Sequence, residues 1–254
     1  MTDGPAHTFR YLTEGDHGDG ALIALSERDT HHLVRVVRRT VGDVIELVDA
    51  SGARWQAVVE TLGNAATCRV VGPPVVPIPA APIELWLGLP RWDALERITR
   101  MVTEIGVQRV VLVRSERVTR VPHAGELSRH LERLERIADD AWRQSGSPTR
   151  PTIEALIPFD ELIDHVATRD ATAWIALDPR AARPLSHVLA GTSSVALLLG
   201  PEAGFSPEEL RQVETAGALQ ASLEGAGVLR VDTAAICATA VAQARGDRVR
   251  STGE

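Results

Sequence analysis

The stretch Val195-Ala196-Leu197-Leu198-Leu199-Gly200-Pro201-Glu202-Ala203-Gly204-Phe205-Ser206-Pro207-Glu208-Glu209 constrains the fold of this chain more than any other. Its first five residues are aliphatic with no polar alternation, which predicts a strand buried on both faces. Gly200, Pro201 and Gly204 then form a loop that can bring backbone close to a ligand. Ser206 reads as a helix N-cap, Pro207 as the first helical residue and Glu209 as the partner in a capping box. A strand, a glycine-bearing loop and a sharply started helix are the usual seat for a small ligand at the carboxyl edge of an α/β sheet. The same pattern also serves an ordinary strand-to-helix connection, so the rest of the chain has to decide.

The clearest boundary is Gly72-Pro73-Pro74-Val75-Val76-Pro77-Ile78-Pro79-Ala80-Ala81-Pro82, whose prolines exclude helix and favour an extended connector. Before it, strand-like runs at Ala21–Ala24, Val44–Val48, Arg54–Thr61 and Ala66–Val71 are separated by Gly42-Asp43, Ala50-Ser51-Gly52 and Gly63-Asn64. A short helix is expected from about Glu27 to Val37, and the whole reads as a small β-barrel. After the prolines, strands alternate with helices. Strands are expected at Ile83–Gly88, Arg109–Val113, Ala173–Leu177, Val195–Leu199 and Ala218–Leu223. Helices are expected at Asp93–Ile105, at about Gly125–Gln144 and at about Thr233–Ala244, the first with Leu95, Ile98, Val102 and Ile105 on one stripe. That alternation predicts an α/β domain with a mostly parallel sheet covered on both faces. The domains are accordingly placed at 1–72 and 83–254, with a Pro-rich linker at 73–82.

The 254 residues are enough for such a pair of domains. No apolar run approaches the roughly 20 residues that cross a bilayer, and the first residues lack a basic-then-apolar signal pattern, so a cytoplasmic protein with no membrane partner is expected. Cys68 and Cys237 stand apart without metal-ligand neighbours and read as small core residues, and no metal site is expected. A net charge of −7 does not announce a nucleic-acid binder, yet all 27 basic residues are arginine. Arg35, Arg38 and Arg39 cluster, as do Arg129, Arg133, Arg136 and Arg143, and guanidinium groups match phosphate geometry. Acidic neighbours at Glu132, Glu135, Asp139 and Asp140 make a solvated helix face the simpler reading of the second cluster.

Three segments of the second domain can meet at the carboxyl edge of its sheet: Gly200 to Gly204, Leu223-Glu224-Gly225-Ala226-Gly227-Val228-Leu229, and Arg230-Val231-Asp232-Thr233 at the start of the last helix. Neither glycine loop matches a dinucleotide fingerprint or a P-loop. The helix after Ser206 begins with its own cap and two carboxylates, which disfavours a free anion there. A neutral or cationic ligand held by backbone groups fits better, and adenosine carrying a sulfonium is one.

Several segments then resemble one known family. Gly200-Pro201-Glu202-Ala203-Gly204 is similar to its Gly-Pro-Glu-Gly-Gly cofactor loop, and Leu229-Arg230-Val231-Asp232-Thr233-Ala234 to its Leu-Arg-Thr-Glu-Thr-Ala motif. His31-His32-Leu33 with Val36-Val37-Arg38 and Gly42-Asp43 resembles its N-terminal RNA-binding module. Leu89-Pro90-Arg91 with Glu96 and Glu104-Ile105-Gly106, Ser115-Glu116-Arg117, and Ala141 to Ser145 follow in the family's order. The family is the 16S ribosomal RNA uracil-N3 methyltransferases, within the SPOUT or α/β-knot methyltransferases. The resemblance covers nearly the whole chain. It departs at Ala203 and Ala226 in the two loops, at Met101 on the first long helix, and at Asp49-Ala50-Ser51-Gly52.

The resemblance implies a PUA-like RNA-binding barrel, a SPOUT domain with a C-terminal trefoil knot, a homodimer, and methyl transfer from S-adenosylmethionine to N3 of a uridine in 16S rRNA of the small ribosomal subunit. It implies cofactor contacts at Leu199, Gly200, Glu202, Gly204, Leu223, Gly227, Leu229 and Thr233. Catalytic roles fall to Arg230, Asp232 and Glu202, and RNA contacts to His31, Arg35, Arg38, Arg39 and Arg91. Arg230 is expected to stabilise charge on the deprotonated ring, although an ion pair or phosphate clamp is an even alternative. Asp232 is expected to accept the proton or to cap the last helix, and Glu202 to balance the sulfonium or to shape the loop. A SPOUT enzyme of other specificity, such as a ribose 2′-O-methyltransferase, and a non-catalytic RNA-binding protein remain the alternatives.

Overall fold

The computed structural model describes residues 10–13, 17–49, 52–76, 81–169, 172–225 and 227–250. Two compact units emerge. The first contains the described residues up to Val76 together with Trp142–Pro148. Its sheet runs β1-β3-β4-β5-β2, with β1 at Arg10–Leu12, β2 at Leu22–Ala24, β3 at Val44–Val48, β4 at Arg54–Thr61 and β5 at Thr67–Val75. β1 lies parallel to β3, and the other pairs are antiparallel.

Alternation explains the packing: Trp55, Ala57 and Val59 of β4 are buried beside Ile45, Leu47, Cys68 and Val70, while their neighbours along the strand face outward. The hairpin between β3 and β4 is fixed by Asp49, whose buried carboxylate accepts from the Ala53 N–H at 3.1 Å and the Trp55 indole N–H at 2.7 Å. Of the turn residues, Ala50 and Ser51 lie outside the described residues.

Three features of this unit differ from expectation. The helix expected over Glu27–Val37 is an α-helix, α1, at Glu27–His31 followed by a π-helical turn at His32–Val36. The last strand continues through Pro73 and Pro74 to Val75. Both prolines fall between the pairs Gln56↔Val71 and Arg54↔Val75, where the ladder shifts register and needs no donor from them. Pro77 and Pro79 lie outside the described residues. Arg143 does not belong to a solvated helix face: it is buried and ion-paired with buried Asp29. Arg10 and Arg54 donate to the carbonyls of Ser147 and Gly146 at 2.9 and 3.1 Å.

The second unit is a six-stranded sheet ordered β11-β9-β10-β6-β7-β8, with every pair parallel. Its strands are β6 at Ile83–Gly88, β7 at Arg109–Arg114, β8 at Thr152–Pro158, β9 at Ala173–Leu177, β10 at Val195–Leu199 and β11 at Leu219–Ala221. Side chains alternate between two cores. Ile83, Leu85 and Leu87 face α2 (Trp92–Ile105), α3 (Ala124–Ser145), the short α5 (Leu185–Val188) and α7 (Val231–Arg250). Trp86, Val111, Trp174 and Leu198 face α4 (Phe159–Thr168) and α6 (Pro207–Thr215).

α7 presents Ala235, Ala238 and Ala242 to the first core, and their small side chains let its backbone approach β6, β10 and α2. Cys68 is a core residue, and burial, reinforced by Glu60, pushes its thiol up to about 11. Cys237, expected in the core, is exposed on α7, because the buried positions of that helix are taken by the alanines. Among the described residues no helix is long and apolar enough to cross a membrane.

Candidate ligand site at the carboxyl edge of the sheet

β7 and β8 extend the sheet to one side of β6, whereas β10, β9 and β11 extend it to the other. Connections leave such a sheet on opposite faces at the reversal, which opens a crevice at the carboxyl ends of the strands. On the β10 side of that reversal, at the ends of β9, β10 and β11, lies a cavity of about 360 Å³. Leu199, Gly200, Glu202, Gly204, Leu223, Gly227 and Leu229 line it, so seven sequence-nominated residues converge.

The loop after β10 is built by two glycines with different duties. A Cβ on Gly200 would stand 2.2 Å from the Phe205 nitrogen and 2.5 Å from the Gly204 carbonyl carbon, so the loop closes on bare backbone. Gly204 has a φ of +69° and donates its N–H to the Pro201 carbonyl at 2.7 Å. Ala203 does not take a positive φ, since Arg38 is the one described non-glycine residue that does. Its methyl group is therefore compatible with the loop. Ala226, in the second loop, lies outside the described residues.

The start of α6 locks the other end. Ser206 and Glu209 form the full capping box, at 3.2 and 2.8 Å, and the second oxygen of Glu209 accepts the Glu116 N–H at 2.7 Å. Glu209 is buried, and its charge is offset by these donors and by the helix N-terminus. Arg117 joins the same pair of loops, donating from Nη1 to the Ala203 carbonyl at 3.0 Å and towards that of Phe205 at 3.4 Å. It also lines the cavity, and so does the segment after β9, Asp178-Pro179-Arg180. Buried Asp178 accepts from the Arg180 backbone, Nε and Nη2 at 2.9, 3.0 and 2.8 Å. Sequence reading missed Asp178 and Arg180; an Asp-Pro directly after a buried strand was the available signal.

Glu202 links the cavity wall to Arg91, whereas the remaining nominated residues stand apart from it. Glu202 turns one carboxylate oxygen to the Arg91 N–H at 2.9 Å, and the Arg91 guanidinium lies 3.7 Å from both Glu202 and Asp93. Asp232 is held by Arg97 Nε at 3.0 Å and accepts the Thr233 N–H at 3.0 Å. Partial burial opposes ionisation of Asp232, but those two bonds prevail and its carboxyl sits below the ordinary range. Arg230 is exposed; its carbonyl accepts the Ala234 N–H at 2.9 Å, and its guanidinium has no partner among the described residues. Thr233 is exposed. Arg230, Asp232 and Thr233 do not line the cavity. In the first unit, His31, Arg35 and Arg38 are exposed and Arg39 half-buried around the π-helical turn, with Arg38 at a φ of +58°.

A parallel sheet with a glycine-loop cavity at its carboxyl edge, in a chain that also carries a small β unit, defines a two-unit α/β protein with a small-ligand site in its second unit. Residues 77–243 match the RNA methyltransferase domain family and residues 25–71 the RNA methyltransferase PUA domain family. The chain belongs to the RNA methyltransferase family. It is 28% identical over 226 residues to the ribosomal RNA small subunit methyltransferase E of Synechocystis, covering 87% of this chain and 72% of that protein. A methyltransferase of Legionella pneumophila, solved in complex with the bound cofactor SAM, is similar with a TM-score of 0.82 and 25% identity over 94% of this chain and 98% of that one. The fold is also that of ribosomal RNA small subunit methyltransferase E from Neisseria gonorrhoeae, with a TM-score of 0.83 and 23% identity over 94% of this chain and 98% of that chain.

Proposed function

We propose that this protein transfers a methyl group from S-adenosylmethionine to N3 of a uridine in 16S rRNA of the small ribosomal subunit. The observation that carries the reading is the cavity at the ends of β9, β10 and β11 in a chain of the RNA methyltransferase family. Its lining suits that cofactor: Leu199, Leu223, Leu229, Val231 and Ala234 offer apolar surface to a flat base, while Asp178 and Glu202 supply carboxylates to a cation. A volume of about 360 Å³ also lies in the usual range for small-ligand sites. When bound, the cofactor supplies an electrophilic methyl on a sulfonium and leaves as a neutral thioether.

The chain's own residues then have three tasks. Leu199, Gly200, Gly204, Leu223, Gly227 and Leu229 hold the cofactor, with Thr233 at the edge of the same group. Glu202, which lines the cavity, accepts the N3 proton as the nitrogen lone pair forms the new N–C bond. Arg230, whose guanidinium pairs with no carboxylate among the described residues, stabilises charge spread over the ring and its two carbonyl oxygens. Asp232 positions that arginine: through Arg97 it anchors the first turn of α7 directly after Arg230.

In the first unit, His31, Arg35, Arg38 and Arg39 hold RNA through its phosphates, and Arg91 adds a contact in the second. The assignment carries with it a cytoplasmic homodimer, the knotted arrangement of the last helix, and presentation of the target base in a flipped or single-stranded form.

The test is methyl transfer from labelled S-adenosylmethionine to undermodified small ribosomal subunits, followed by nucleoside mass spectrometry. 3-Methyluridine is the expected product. Another methylated nucleoside overturns the specificity, and cofactor binding with no transfer to any RNA overturns the enzymatic reading in favour of a binding protein.

A further inference from the structure

The carboxyl edge of the sheet holds a second, smaller cavity, of about 150 Å³, at the ends of β6 and β7. Leu89, Pro90, Trp92 and Pro122 give it apolar walls, and Arg91 and Arg120 stand at it as exposed cations. It abuts the cofactor loop: the Arg91 N–H in its lining is bonded to Glu202, which lines the larger cavity. We infer that this second cavity receives the acceptor pyrimidine, with Trp92 as its stacking wall and Arg91 and Arg120 as the donors to ring carbonyls and phosphate.

Three segments meet there: the start of α2, the loop after β7 and the beginning of α3. The Trp92 indole is stacked in parallel on the His130 imidazole, with centroids 3.8 Å apart and planes 5° from parallel, so one face is filled and the ring is stiffened. Packed also against the core, the indole lines the cavity as a preorganised wall for a planar base. His130 lies 3.9 Å from Glu126, and Glu126 accepts Arg120 Nη2 at 2.9 Å, which anchors the rim arginine beside the stack. The Arg91 guanidinium, 3.7 Å from its nearest carboxylates, is beyond hydrogen-bond distance of them and keeps its donors for a ligand.

Uracil is matched term by term. Its faces stack, its two carbonyl oxygens accept from guanidinium N–H groups, and its N3–H needs an acceptor on the side of the methyl donor. Glu202, in the wall of the larger cavity and bonded to the Arg91 N–H in the wall of the smaller, is that acceptor. The apolar walls and small volume suit a single planar base.

This inference rests on the proposed methyl transfer, and its test separates the two. Uridine 5′-monophosphate is titrated against the full-length protein with tryptophan fluorescence as the signal, and the Trp92→Phe variant identifies the responding ring. RNA KM and cofactor Kd are then measured for Arg120→Ala and Trp92→Leu, with thermal melting as the folding control. The expected result is saturable quenching that disappears in Trp92→Phe, a rise of about tenfold in RNA KM in both variants, and cofactor Kd within twofold of the parent. No saturable quenching, unchanged KM, or KM and cofactor Kd rising together overturns the subsite. If the nucleotide quenches Trp92 and no RNA is methylated, the subsite stands and the enzymatic reading falls. If transfer proceeds and both variants keep their KM, the reverse holds.

Discussion

The Glu202 carboxylate accepts the backbone N–H of Arg91 at 2.9 Å, and this one bond fastens the loop after β10 to the first turn of α2. It joins the two cavities of the carboxyl edge through a single side chain. Replacing Glu202 by Gln keeps an oxygen for the Arg91 N–H but removes the base. The expected outcome is a fall in kcat of about 10²- to 10⁴-fold, with a smaller rise in cofactor Kd from the lost carboxylate. Glu202→Ala loses the tether too, so its cofactor Kd rises further. Single-turnover rates beside calorimetric Kd values distinguish these; a Gln variant with parental kcat beside an impaired Ala variant leaves Glu202 as a purely structural tether.

Gly200 and Gly227 both face the cavity, yet substitution acts on them through different physics. A Cβ at Gly200 meets backbone at 2.2 Å, which no side-chain rotation relieves, so Gly200→Ala should cost about 1–3 kcal/mol of stability and abolish cofactor binding. A Cβ at Gly227 meets nothing within 4 Å, and its φ is not in the left-handed region. Gly227→Ala should leave the melting temperature unchanged and weaken only the cofactor. Equal melting shifts in the two variants would contradict this division.

How much of this was visible beforehand follows from how local each signal is. The β10 strand, the loop glycines and the capping box of Ser206 and Glu209 lie within fifteen consecutive residues, and all stand in the structure as read. β8 was missed because an edge strand, half-exposed on both sides, shows no continuous aliphatic run. Arg143 was misjudged for another reason: its helix neighbours are polar, and its partner Asp29 lies 114 residues away. Arg117 was read only as part of a family-like Ser-Glu-Arg segment, and Asp178 was not singled out, because their partners, the loop carbonyls and Arg180, gain meaning only once the cavity exists.

Arg117 supplies the next test. Its guanidinium bonds the carbonyl of Ala203 and reaches that of Phe205, so it fixes the loop from the side of β7. Arg117→Ala should raise cofactor Kd by about tenfold, one lost charge-assisted bond, while the exposed position limits the loss of fold stability. Arg117→Lys keeps the charge without the fork and should recover only part of the affinity. Unchanged Kd in both variants would show that the loop holds itself.

Asp178 gives a pH-dependent signature. The hydrogen bonds from Arg180 hold its carboxyl below the ordinary 3.8, against the opposing pull of burial. A group whose folded pKa is depressed stabilises the fold above its unfolded pKa, and that contribution is lost as pH falls through the folded value. Acid melting curves should therefore lose stability below about pH 4 in the parent and less in Asp178→Asn. Because Arg180 is 71% exposed, the difference should stay under about 1 kcal/mol. Parallel curves for parent and variant would remove the pair from the account.

Arg38 separates stability from RNA binding in one residue. Its φ of +58° is a conformation that side-chain-bearing residues seldom adopt, at a cost of order 1 kcal/mol, and glycine adopts it freely. Arg38→Gly should therefore leave the fold as stable or more stable, by up to about 1 kcal/mol, while removing a phosphate contact. Binding of small-subunit RNA should weaken at every sequence tested, and the slope of log K against log salt should lose about 0.7 to 0.9. Replacing Arg35 and Arg39 by Gln as well should bring the total loss of slope to about 2. The readout is filter binding across a salt series, beside a melting curve. A destabilised Arg38→Gly variant would show that the guanidinium holds the π-helical turn; an unchanged slope in the triple variant would remove the phosphate contacts from this surface.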